Sequence, residues 1–117
     1  QDIVIVGHSF CGGIDVLCSH ILGEKDDNRE FITSWIKIAL PAMESINKSS
    51  KKEDMIHDAE KASIVNSIKN LRTFPWIVSL EEQSKLRIHG WWFDMEHGAL
   101  WTCEDGQKEF YQLIPNK

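Results

Sequence analysis

Ile3-Val4-Ile5-Val6-Gly7-His8-Ser9-Phe10-Cys11-Gly12-Gly13 passes from an apolar, β-branched run into a polar, glycine-rich loop. Ile3 to Val6 is apolar on both faces, the pattern of a parallel strand covered on both sides. Beyond the glycines, Ile14, Leu17, Cys18 and Ile21 recur at i, i+3, i+4 and i+7, one face of a helix, before Gly23 interrupts it. A strand that breaks at glycine and opens into a helix leaves polar side chains at its carboxyl end, where open α/β sheets bind their ligands. Cys18 reads as core. His8, Ser9 and Cys11 are the candidates for chemistry.

The rest of the chain is consistent with a small α/β unit. Glu24 to Glu30 is a charged connector with possible caps at Asp27 and Asn28, and Phe31, Ile32, Trp35, Ile36, Ala39 and Leu40 make a second apolar stripe that Pro41 ends or bends. Ser50-Lys51-Lys52-Glu53 has the form of a capping box and predicts a long helix through Ile64, Val65, Ile68 and Leu71, stopped by Pro75. Leu86 to Phe93 alternates like a strand, and Glu96-His97-Gly98 predicts a turn into a partner strand from Ala99 to Thr102. The expected architecture is one domain over 1–117, with a mostly parallel sheet flanked by helices and an antiparallel edge hairpin near the C-terminus.

Composition narrows the function. The 117 residues are 42% hydrophobic and 26% charged, with a formal net charge of -5, an ordinary soluble globule. The basic residues are scattered, which argues against nucleic acid as a partner. No apolar run approaches the ~20 residues that span a bilayer, so no membrane partner is expected. Cys11, Cys18 and Cys103 are an odd number without disulfide-framework spacing, which fits a reducing, cytoplasmic setting. The chain opens at Gln1 and runs at once into the apolar strand, which predicts further sequence before it.

Two chemistries compete for the loop. Gly7-His8-Ser9-Phe10-Cys11 comes close to the G-x-S-x-G elbow that exposes a nucleophilic serine in α/β-hydrolases, but Cys11 stands where the motif has its second glycine. A triad would also need His89 or His97 from late in a short chain. Alternatively, His8 and Cys11 are borderline-soft ligands three residues apart that can converge on one Zn²⁺ at about 2.0 to 2.3 Å. Taken alone, such a pair is also what a turn histidine beside a buried cysteine looks like.

Four stretches in order weigh on this choice. They are Val4 to Gly13; Trp35-Ile36 with Ile38 and Pro41-Ala42; Ile64-Val65-Asn66-Ser67-Ile68-Lys69-Asn70-Leu71-Arg72-Thr73-Phe74-Pro75; and Leu86 to Asp94 with Gly98-Ala99-Leu100. Together they cover most of the chain, and their order and separation resemble the carboxyl-terminal two thirds of the β-class carbonic anhydrases.

The resemblance implies a zinc enzyme that hydrates carbon dioxide reversibly to bicarbonate, with two cysteines and a histidine on the metal and the fourth position open to water. His8 and Cys11 match two of those ligands. Gly12 and Gly13 would let main-chain N–H groups approach the substrate at the start of a helix, a place that favours negative charge. The family's remaining cysteine lies in a Cys-x-Asp-x-Arg segment on an earlier strand, whose Asp and Arg orient the reacting oxygen. These 117 residues contain no such segment. On a helix Cys18 would lie about 10 Å beyond Cys11 and cannot substitute, and Cys103 reads as a buried or edge thiol. The expectation is therefore a chain that by itself binds zinc weakly and hydrates carbon dioxide negligibly, with a Cys-x-Asp-x-Arg pattern preceding Gln1 in a longer parent. The absent strands would lie beside Ile3 to Val6, so that edge should be exposed. A homodimer or higher homo-oligomer is implied for the complete protein. A serine hydrolase using Ser9 and a non-catalytic remnant stay open.

The remaining conspicuous residues have plainer readings. The tryptophans fit core or subunit contacts. His20, His57 and His97 are expected in solvent, and His89 is expected on the sheet, opposite the Leu86 and Ile88 face.

Overall fold

The computed structural model describes residues 1–21, 37–46, 51–103 and 109–113. Phe31, Ile32, Trp35, Ile36 and the proposed caps Asp27 and Asn28 lie outside the described residues. The elements run β1 (Asp2–His8), α1 (Gly12–Ile21), a 3₁₀ turn (Leu40–Ser45), α2 (Lys52–Leu71), α3 (Pro75–Glu82), β2 (Arg87–Asp94), β3 (Ala99–Cys103) and β4 (Tyr111–Gln112).

The sheet has the order β1-β2-β3-β4. The α/β class expected from the sequence holds, but among the described residues its parallel character is confined to one pair. β1 runs parallel to β2 with Ile5 opposite Gly90, whereas β2–β3 and β3–β4 are antiparallel. The connections explain this, because β1 reaches β2 only after the helices, while β2 and β3 are joined by a tight turn that reverses the chain. Gly98, at φ 60°, supplies the left-handed residue of that turn. Among the described residues β1 pairs with β2 alone, so its outer edge is open, as expected. It is not covered on both faces: Val6 is 61% exposed.

One face of the sheet meets α2. Gly7 and Gly90 lie on that face, and both are needed for the close approach. A Cβ on Gly90 would stand 2.8 Å from Cys103 Sγ and 2.9 Å from Ile64 Cγ2, and one on Gly7 would stand 2.8 Å from Ile64 Cδ1. On α2 the buried residues are Met55, Ala59, Glu60, Ile64 and Ile68, a single stripe at near-fourfold spacing. Its first half packs with Ile14, Leu17 and Cys18 of α1 and with Met43. Its second half packs with Ile77, Leu86, Ile88, Trp92 and Cys103. Glu60 sits where the two cores meet.

Two helix boundaries differ from expectation. α2 takes Lys51 as its N-cap, with no side-chain cap, so the capping-box register is displaced by one residue; Glu53 and Asp54 in the first turn complement the helix dipole instead. Pro75 does more than stop α2: it stands in the first turn of α3, where a missing N–H costs nothing and its fixed φ is already helical.

Candidate metal centre

β1 delivers His8 to the carboxyl end of the parallel pair, and the chain then turns through Ser9 and Phe10 to Cys11, just before α1. Asp15 N–H donates to the Cys11 carbonyl at 3.0 Å, closing the first turn of α1. Gly12 and Gly13 are thus its first two residues, and N–H groups at this end have no acceptor within the helix. A Cβ on Gly12 would meet nothing within 4 Å.

The His8 ring is oriented by its own loop. Nδ1 lies 2.7 Å from the Ser9 carbonyl oxygen. A carbonyl can only accept, so Nδ1 carries a proton, which leaves Nε2 as the ring nitrogen suited to a metal. His8 is exposed and Cys11 half-buried, with no disulfide. These two donors suit two positions of a zinc site. Among the described residues, no set of three His, Cys, Asp or Glu donors close enough to share an ion includes either of them. The cluster that does form, Asp94, Glu96 and His97 in the β2–β3 turn, is occupied internally: His97 Nδ1 donates to Asp94 Oδ2 at 2.7 Å, and the main-chain N–H groups of Glu96 and His97 donate to Oδ1.

Ser9 is not placed as a nucleophile. It is fully buried, its Oγ accepts the Met95 N–H at 2.8 Å, and its own N–H donates to the Phe93 carbonyl at 2.9 Å. The strained residue of the turn is Phe10, at φ 58°. A bulky residue there costs on the order of 1–3 kcal/mol and persists only where its surroundings hold it.

That hold involves a residue the sequence reading overlooked. Glu60 is 2% exposed, and three N–H donors converge on its carboxyl. The Cys11 main chain donates to Oε2 at 3.0 Å, while His57 Nδ1 at 3.0 Å and Trp92 Nε1 at 3.2 Å donate to Oε1. His57, expected in solvent, is instead packed edge-on between the Phe10 and Trp92 rings, 5.7 and 5.6 Å from their centroids. A signal was available: Glu60 stands in the i, i+4 row Ile56, Glu60, Ile64, Ile68, an acid on an otherwise apolar helix row. His97 is exposed as expected; the His20 side chain lies outside the described residues.

The other thiols are set apart. Cys18 is fully buried in the α1 core, and burial pushes its thiol up to about 11, with Asp15 adding to the shift, so it stays protonated at neutral pH. Cys103 is buried against α2 beneath Gly90. His89, on the sheet as expected, has Nε2 2.9 Å from Asp2 Oδ1.

Comparison with known proteins places these features in a family context. The sequence profile of the family described as "Carbonic anhydrase" matches residues 1–100. The chain is 33% identical over 109 residues to "Beta carbonic anhydrase 5, chloroplastic" of Arabidopsis thaliana, covering 89% of this chain and 36% of that protein. It is 27% identical over 114 residues to "Carbonic anhydrase" of Pseudomonas aeruginosa, covering 96% of this chain and 50% of that one. Its fold is similar to that of the β-carbonic anhydrase CcaA, with a TM-score of 0.79 at 22% identity over 98% of this chain and 52% of that chain. The chain therefore spans between about a third and half of the length of these relatives.

Proposed function

The chain belongs to the β class of the carbonic anhydrase family, and from that premise we propose that it serves the zinc-dependent, reversible hydration of carbon dioxide to bicarbonate, with His8 and Cys11 as two of the metal's ligands. The observation that carries this reading is the His8 ring's anchor: Nδ1–H donates to the Ser9 carbonyl, which leaves Nε2 as the nitrogen to meet a metal in the same loop as the Cys11 thiol. A zinc ion held there would make a coordinated water far more acidic than bulk water, so that hydroxide is available at neutral pH. Gly12 and Gly13 would offer the N–H groups at the start of α1, which have no acceptor within the helix, to a substrate that becomes anionic. Ser9 has no chemical step; it ties the loop to the β2–β3 turn.

These residues supply two ligands; the family's third, a second thiolate, and its aspartate–arginine pair are not among the 117 residues. By itself the chain should bind zinc weakly and hydrate carbon dioxide negligibly. The family reading also carries a homo-oligomeric, cytoplasmic enzyme acting on carbon dioxide and bicarbonate, with no nucleic-acid or membrane partner; no helix among the described residues is long and apolar enough to cross a membrane.

The test is metal content after equilibration with zinc and desalting, alongside stopped-flow hydration assays. The expected result is well under one retained zinc per chain, residual binding lost in His8→Ala and Cys11→Ala, and binding unchanged in Ser9→Ala. One tightly held zinc per chain with hydration well above background would overturn the two-ligand assignment. Esterase turnover lost in Ser9→Ala would favour a hydrolase.

A further inference from the structure

We propose that Glu60 is a positioning residue for the metal-binding loop, holding the Cys11 main chain and, through His57, the Phe10 ring, so that the strained turn presenting His8 and Cys11 survives without metal. The inference rests on the reading of His8 and Cys11 as ligands.

Three independent features converge on it. First, Phe10 holds φ 58° between two residues whose main chains are clamped. Ser9 N–H is fixed on the Phe93 carbonyl, and Cys11 is fixed at both of its main-chain polar groups, its N–H on Glu60 Oε2 and its carbonyl on Asp15 N–H. Of these clamps, only the bond to Glu60 depends on a side chain.

Second, Glu60 lies at 2% exposure on an apolar helix face. An apolar residue of similar volume there would serve packing as well or better, because burying a carboxyl is costly unless it is fully hydrogen-bonded. The protein instead directs three donors from three different segments onto this one group. Third, His57 links the carboxyl to the far side of the turn: Nδ1 donates to Oε1 while the ring edge meets Phe10. Glu60 therefore grips the strained residue from its main-chain neighbour and from its side chain.

Metal ligands depend on such outer partners for their orientation. Here the partner holds the ligand's peptide rather than its thiol. Without it, Phe10 is free to relax to negative φ, which swings Cys11 away from His8.

The experiment compares the wild-type chain, Glu60→Gln, Phe10→Gly and the double variant, with two kinds of readout. Amide exchange at Cys11 and the three-bond HN–Hα coupling of Phe10 report the clamp directly. Cobalt(II) affinity, followed by thiolate-to-cobalt absorption, reports its consequence for the ligands. In Glu60→Gln, Cys11 exchange should accelerate and cobalt affinity fall by roughly tenfold each, the scale of one lost hydrogen bond to a charged group; the Phe10 coupling should move toward the value for negative φ.

Adding Phe10→Gly to Glu60→Gln should recover most of the lost affinity, because glycine adopts positive φ without strain. A residue with a merely structural role would show no such rescue. Should Glu60→Gln fail to fold, His57→Phe keeps the ring contacts but removes one donor, and should shift the same readouts in the same direction by less. Unchanged Cys11 exchange in a folded variant overturns the clamp, and an affinity loss that Phe10→Gly does not recover overturns its strain-holding role. A wild-type chain with no cobalt–thiolate absorption would count against the ligand assignment alone, since exchange and coupling still decide the clamp.

Discussion

Ser9 Oγ accepts the main-chain N–H of Met95 at 2.8 Å, joining two loops 86 residues apart in sequence. With the Ser9 N–H to Phe93 carbonyl bond, it seals the carboxyl ends of the parallel pair β1 and β2. Ser9→Ala should therefore destabilise the protein by about 1–3 kcal/mol, the cost of depriving a part-buried N–H of its acceptor. Urea unfolding measures this, and an unchanged midpoint would mean that the hydroxyl has no structural role.

The three thiols should separate by reactivity. Cys11 is half-buried in the loop, whereas Cys18 is fully buried, pushed up to about 11, and Cys103 is 3% exposed. Under native conditions at pH 7.5–8 iodoacetamide is expected to label Cys11 alone, and all three in denaturant. Peptide mass mapping reads the sites; native labelling of Cys18 would contradict the packing of α1 on α2.

The glycines should divide in the same way. Gly90→Ala drives a methyl group against Cys103 Sγ and Ile64 Cγ2, both within 3 Å, and overpacking of this kind costs about 1–3 kcal/mol. Gly12→Ala places its methyl in open space at the start of α1 and should change stability by less than about 0.5 kcal/mol. Equal losses in denaturant unfolding would show that α2 does not press on the sheet at β2.

The β2–β3 turn should carry a pH dependence of its own. The hydrogen bond and charge of Asp94 raise His97 above its ordinary 6.5. Burial pushes the Asp94 carboxyl up, but the hydrogen bonds and charge of His97, with the Glu96 N–H, outweigh it and hold it below its ordinary 3.8. The raised histidine contributes stability in full below pH 6.5, and this is lost as pH rises through its folded value. The lowered aspartate contributes in full above pH 3.8, and this is lost as pH falls through its folded value. Both contributions are present between about pH 3.8 and 6.5. Asp94→Asn should narrow its Tm gap from wild type outside that window and return the His97 NMR midpoint toward 6.5. A midpoint that stays high in the variant would remove Asp94 as the cause.

The strand–loop–helix unit, the α2 stripe and the hairpin around Gly98 were legible in the sequence because each rests on spacing within about twenty residues. Periodicity shows which face of a segment is apolar, and glycine shows where the chain must turn. The same local signals left Ser9 undecided between nucleophile and bystander, and they placed His57 in solvent, because Met95, which bonds Ser9, and the Phe10 and Trp92 rings that enclose His57 are distant in the chain. β4 is only two residues long, too short to show a period.

The sequence by itself marked β1, α1, α2, β2 and β3 and the residue types that stand at the mouth of β1. The tertiary structure alone decided that Ser9 turns inward to Met95 and that Glu60 faces Cys11 rather than solvent. Local propensity acts through a residue's own backbone and near neighbours, whereas a hydrogen bond to a buried group is settled only when distant segments pack and exclude water between them.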